Sequence, residues 1–123
     1  ALVDAAGATG MIHSDDPSGA QRLNQETAKA MYAGRAAGLD ISEDKALKWM
    51  TINPAWALGL DDRIGSLVAG KDADVVLWSG DPFSVYSKAE KVWIDGAMLF
   101  DRNDPSQRWR TDFDLGYVRG TNQ

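Results

Sequence analysis

The chain has 123 residues, 44% of them hydrophobic, a length and apolar content that suit one folded core and exclude a disordered chain. Thirteen lysines and arginines against eighteen aspartates and glutamates leave a net charge of −5, which argues against nucleic acid and anionic membrane as partners. The absence of cysteine removes disulfides and every thiolate metal site, so any transition metal must be held by imidazole and carboxylate.

No apolar stretch approaches the roughly 20 residues that cross a bilayer, and the first residues lack the charged-then-apolar order of an export signal. Ala1 to Gly7 opens without an initiating methionine and reads as the middle of a connection between elements. The expectation is a fragment whose amino terminus lies upstream. Ala8 to Asp15 sets a short apolar stretch before a polar cluster and a proline, the pattern of a buried strand ending at a functional edge. Asp16 suits a helix N-cap and Pro17 the first helical position, and helix formers then run to Ala37, where Gly38 stops them. Leu23, Ala30, Met31 and Ala37 share one face at helical spacing, predicting an amphipathic helix that covers a sheet.

Ser42 is expected to cap a second helix, with Glu43 and Asp44 in the first turn where the helix dipole favours negative charge. Leu47, Met50 and Thr51 are expected on its inner face. Asn53 and Pro54 predict the cap and first position of a third, short helix that Gly59 ends. From Gly65 onward glycines and β-branched residues replace helix formers. Ala73 to Trp78 reads as a strand covered on both faces, ended by Gly80-Asp81-Pro82. Lys91 to Ile94 and Ala97 to Phe100 flank Asp95-Gly96, the pair preferred in a two-residue hairpin turn because both positions need positive φ. Thr111 to Val118 alternates weakly, compatible with a docked strand or a partly ordered tail.

The order His13-Ser14-Asp15, long helix, Asn53-Pro54-Ala55, Gly65-Ser66-Leu67, Gly70-Lys71-Asp72-Ala73-Asp74, Gly80-Asp81-Pro82 and a hairpin at Asp95-Gly96 resembles the last third of metal-dependent amidohydrolases. The likeness is to the imidazolonepropionase-like and dipeptidase-like kind. It runs from about Ala8 to Arg102 and is most specific from Asn53 to Pro82. The resemblance implies an α/β fold: the last strand and helices of a (β/α)₈ barrel over residues 1–64, the carboxy-terminal strands of a small β-sandwich over 65–102, and a tail over 103–123. Met11 to Asp15 is then the eighth barrel strand, whose carboxy-terminal end carries active-site residues in such barrels.

Taken alone, Ser14-Asp15-Asp16 is equally well a polar turn capping the next helix. The resemblance assigns the cap to Asp16 and the chemistry to Asp15, as metal ligand and as acceptor of a proton from the attacking water. A divalent metal lowers the pKa of water from about 15.7 to roughly 7, and a neighbouring carboxylate can carry the proton on to the leaving amine. Zinc suits oxygen and imidazole ligands and is a redox-silent Lewis acid. His13, placed by alternation on the same side as Asp15, reads instead as a hydrogen-bonded core residue, because the family's metal histidines come from earlier strands. Lys71, Asp72 and Asp74 read as turn chemistry, and Trp49, Trp56, Trp78 and Trp93 as core packing. Arg108, Trp109 and Arg110 read as a solvated tail.

A catalytic zinc site takes about three protein ligands plus water, and this chain offers one histidine and no cysteine, so the piece alone is expected to be inactive. Its apolar faces and strand edges are expected to be covered by other copies of the chain or by further parts of the same protein. The implied activity is cleavage of an amide or cyclic amide C–N bond of a small molecule. The competing readings are a deaminase of the same superfamily and a non-enzymatic β-sandwich interaction module.

Overall fold

The computed structural model describes residues 1–107. Five helices come first: α1 Leu2–Ala5, α2 Pro17–Ala20, α3 Leu23–Ala36, α4 Glu43–Trp49 and α5 Ile52–Ala57. Three strands follow, β1 Val75–Trp78, β2 Ala89–Ile94 and β3 Ala97–Asp101, and a 3₁₀ turn at Pro105–Gln107. The strands form an antiparallel meander in the order β1-β2-β3. The segments 111–118 and 108–110 discussed above lie outside the described residues. Among the described residues no helix is long and apolar enough to cross a membrane.

The caps determine the helix starts. Asp16 accepts the Ser18 amide at 3.1 Å and starts α2, and Ser42 accepts the Lys45 amide at 3.1 Å and starts α4. The single helix expected from Pro17 to Ala37 is two, broken at Gln21 and Arg22, with Arg22 capping α3 by backbone alone. A four-residue α2 followed by a fresh start lets α3 take its own direction. The inner face of α3 is Thr27, Ala28, Met31 and Gly34, one turn closer to the helix centre than the Leu23 and Ala37 ends predicted. Thr27 is fully buried, which it tolerates because its hydroxyl donates to the Leu23 carbonyl at 2.7 Å. On α4 the buried residues are Ala46 and Trp49; of the residues expected on its inner face Met50 packs against the core, while Leu47 faces outward at 38% exposure. Periodicity permits either face of so short a helix; contact with Met31 and Ile41 selects the one carrying Trp49.

These residues make the core: Ala28, Met31, Ile41, Ala46, Trp49 and, from the loop after β1, Phe83. Asp81 delivers Phe83 by accepting its amide at 2.8 Å, and Asn24 on α3 donates to the Pro82 carbonyl at 2.7 Å. The Gly80-Asp81-Pro82 motif therefore fastens the sheet to the helices as well as ending a strand.

The hairpin turns where expected. Asp95 and Gly96 have φ of 50° and 76°, the left-handed pair that a tight turn requires, and the Asp95 amide donates to the Asp74 carboxylate at 3.0 Å. Asp72 pairs with Arg63 at 2.7 Å, and the Lys71 ammonium caps the Asp61 carbonyl. These charges do turn work, as expected. Further expectations fail. The strand β1 is not covered on both faces, since Val76 and Leu77 are 42% and 50% exposed; Trp56 is 55% exposed rather than buried; and Trp78 and Trp93 are only half-buried and lie outside the core cluster. Strand propensity and aromatic content set what these positions favour, but burial requires a facing element, and none of the described residues supplies one.

Candidate active site

Met11 to Asp15, expected as a strand, is irregular. A strand is defined by a hydrogen-bonded neighbour, and the backbone partner here is a helix end: the Ile12 amide donates to the Trp49 carbonyl at 2.8 Å. The carbonyl of Gly10 accepts from the Asn53 side chain at 2.7 Å. Two bonds two residues apart thus pin the segment from which Asp15 projects.

At its end two adjacent carboxylates have different fates. Asp16 is consumed by capping: its oxygens accept the Ser18 amide and hydroxyl, and these bonds, the hydroxyl's foremost, hold its carboxyl below the ordinary value. Ser14 contributes to the same turn, its hydroxyl donating to the Asp16 carbonyl at 2.7 Å. Asp15 accepts no backbone hydrogen bond among the described residues. Its side chain is 98% exposed, and one carboxylate oxygen lies 3.4 Å from Nδ1 of His13. Side-chain alternation correctly put His13 beside Asp15, but the histidine is not a core residue: its side chain is 71% exposed. It is exposed because no strand among the described residues covers residue 13.

Asp15 and His13 form a carboxylate and imidazole pair whose lone pairs are free of the fold, a donor set that suits a divalent cation such as zinc. Among the described residues no three of His, Asp and Glu gather into a metal-holding cluster. A shallow groove of about 470 Å³ lies between α3 and the loop carrying Phe83, lined by Gln25, Ala28, Lys29, Tyr32, Phe83 and Val85. It offers no acid–base pair: its one charge, Lys29, is neutralised by Glu26 at 2.6 Å.

The residue that sequence reading missed is Asn53, taken for a helix cap. It lies inside α5, which starts at Ile52, and its amide reaches back to Gly10. The signal was its position in a motif within the most specific part of the pattern, but nothing in one sequence links residues 43 apart.

Comparison with known proteins gives a family match, two relatives and two solved structures. The model of the amidohydrolase family matches residues 1–104. The amidohydrolase tasK of Hapsidospora irregularis is 38% identical over 96 residues, covering 77% of this chain and 9% of that protein. An imidazolonepropionase of Shewanella baltica is 53% identical over 38 residues, or 31% of this chain and 9% of that enzyme. Among solved structures, an amidohydrolase from Thermotoga maritima superposes with a TM-score of 0.70 at 40% identity, covering 81% of this chain and 25% of that one. The guanine deaminase of E. coli, at 24% identity and a TM-score of 0.52, shares the fold. The chain thus spans about a tenth of the curated relatives it matches and a quarter of the Thermotoga structure. With a family model matching most of its length and a solved amidohydrolase superposing on four-fifths of it, the chain belongs to the amidohydrolase family.

Proposed function

We propose that this chain supplies the catalytic aspartate of a metal-dependent hydrolase that cleaves the C–N bond of a small-molecule amide or cyclic amide. The observation that carries the reading is the contrast between Asp16, tied into a helix cap, and Asp15, whose carboxylate keeps its lone pairs. Asp15 is the residue that would bind the metal, and the rest of the shell would come from strands of a (β/α)₈ barrel, one of which would also give the irregular segment Met11 to Asp15 the strand neighbour it lacks among the described residues. When bound, the divalent metal, zinc in our reading, supplies a Lewis acid that lowers the pKa of water to about 7 and polarises the scissile carbonyl. Asp15 takes a proton from the attacking water and returns it to the departing nitrogen, so no net proton is gained or lost at the carboxylate. His13 stands 3.4 Å from one oxygen of that carboxylate.

The uncovered apolar side chains of the sheet, Val76, Leu77, Ile94, Met98 and Leu99, support a further part of the reading. We infer that β1 to β3 belong to a small β-sandwich whose remaining strands, or a second copy, cover these side chains, which alternate between the two faces of the sheet. Sedimentation of the chain by itself as a monodisperse monomer would count against that association.

The test of the chemistry is Asp15→Asn in the full-length enzyme. Turnover should fall by about 10²- to 10⁴-fold. Full turnover in the variant would overturn the reading.

A further inference from the structure

We propose that Asn53 is a positioning residue for Asp15, an inference that rests on the reading of Asp15 given above. Four observations carry it. The Asn53 amide donates to the Gly10 carbonyl at 2.7 Å across 43 residues of sequence, and it does so from a partly buried site. Two residues on, the Ile12 amide donates to the Trp49 carbonyl at 2.8 Å, and Trp49 is itself 1% exposed in the core. Gly10 lies tight in place: a Cβ there would come within 3.2 Å of Asp4 Cβ and 3.7 Å of the Trp49 indole nitrogen. The helix that carries Asn53 is fixed from its other side by Gly65, where a Cβ would stand 2.8 Å from Ala55 Cβ and 2.9 Å from Ile52 Cα.

These contacts form one mechanical path. Gly65 lets its loop lie against the first turn of α5; α5 aims Asn53 at Gly10; the bonds at Gly10 and Ile12 hold the backbone three residues before Asp15. The turn that brackets Asp15 is bonded only within itself and to the start of α2, through Ser14, Asp16, Gly19 and Ala20, so the backbone hydrogen-bonded link from this segment to the helices of the core runs through the bonds at Gly10 and Ile12. An α5 that sheds its bond would leave the Ile12 amide and the packing of the Ile12 side chain as the remaining ties. A carboxylate that must meet a metal and a water tolerates little such pivoting, since a displacement of about 1 Å can cost roughly 10²-fold in rate. The path also accounts for two motifs that a helix cap and a turn leave unexplained: Asn53-Pro54-Ala55 and Gly65-Ser66-Leu67 meet in space at α5.

The experiment compares Asn53→Asp, nearly the same shape but without the donor, with Asn53→Gln, which keeps it, both in the full-length metal-loaded enzyme. For Asn53→Asp, kcat should fall at least about tenfold while KM changes by less than about twofold, because orientation for the chemical step is lost and ground-state binding is not. The Ile12 amide should exchange with solvent about fivefold faster, reporting the loosened segment independently of turnover. Asn53→Gln should recover most of both. A thermal midpoint that drops while kcat per folded molecule and Ile12 exchange stay at wild-type values assigns Asn53 a merely structural role and overturns the proposal. Should Asn53→Asp fail to fold, Asn53→Gln and Asn53→Ser carry the test: kcat must decline in step with Ile12 protection, and independence of the two overturns it. Asp15→Asn separates the layers. An inactive Asp15→Asn beside a fully active Asn53→Asp refutes the positioning role alone, whereas a fully active Asp15→Asn removes the catalytic reading beneath it.

Discussion

Replacing Phe83 by alanine tests whether the loop after β1 is an integral part of the helical core. Phe83 is 6% exposed and clusters with Ala28, Met31, Ile41, Ala46 and Trp49, although even Trp49, the nearest of them in sequence, lies 34 residues before it. A buried phenylalanine removes about 200 Å² from water, worth roughly 5 kcal/mol at 25 cal/mol per Å². Part of that is recovered as the loop collapses into the space, so the expected loss is about 3–5 kcal/mol. Phe83→Leu, which keeps most of the volume, should cost less than about 1.5 kcal/mol. Asn24→Ala removes the bond to the Pro82 carbonyl and should cost about 0.5–1.5 kcal/mol. Because both residues hold the same loop, the double variant should lose less than the two single losses added together. Urea unfolding followed by tryptophan fluorescence, in the full-length protein and with m compared across variants, measures all four. A Phe83→Ala loss below about 1 kcal/mol with unchanged m would mean that the loop is an appendage and would refute the reasoning.

Two further outcomes follow from particular contacts. Asp4 lies 2.6 Å from the Lys45 ammonium; that bond chiefly lowers its pKa, burial opposes the effect, and the Trp49 indole beside the carboxylate adds to it. The indole N–H faces Asp4 without closing a bond of ordinary geometry, so Lys45 is the partner that matters. Because the folded pKa lies below the unfolded value of 3.8, the stability from this pair is complete above that value and fades as pH falls through the folded one. The stability gap between wild type and Asp4→Asn should therefore narrow as pH drops from about 5 to 3, measured as urea midpoints; a gap that is flat or widens would contradict the assignment. Gly65→Ala combines a φ of 84° with a Cβ only 2.8 Å from Ala55 Cβ, and should lower stability by at least about 2 kcal/mol in thermal unfolding.

Where local chemistry decides an element, one sequence sufficed. Ser42 and Asp16 cap because a short oxygen side chain before a helix satisfies free amides wherever the chain goes, and Asp95-Gly96 turns because few other pairs accept two positive φ angles. The family pattern was legible for the same reason, being built of turn and cap motifs at fixed spacings, and it marked Asp15 as the chemical residue and Asp16 as the cap. Faces were harder. Leu47 and Trp49 are both apolar and two residues apart on a helix of seven, and only packing against Met31 chose between them. The state of Met11 to Asp15 depends on neighbours, so an apolar run that reads as a strand is irregular where helix ends bind it instead.

What the sequence by itself determined is thus the list of caps, turns and the hairpin, together with membership of a family and the identity of its candidate aspartate. The tertiary structure alone decided that Asn53 reaches Gly10, that Phe83 enters the helical core, and that His13 stands in solvent beside Asp15. The division has one physical cause. Hydrogen bonds between near neighbours are encoded by residue type and spacing, whereas contacts between residues 43 or more apart, such as Asn53 with Gly10 and Asn24 with Pro82, exist only once the chain has folded back on itself.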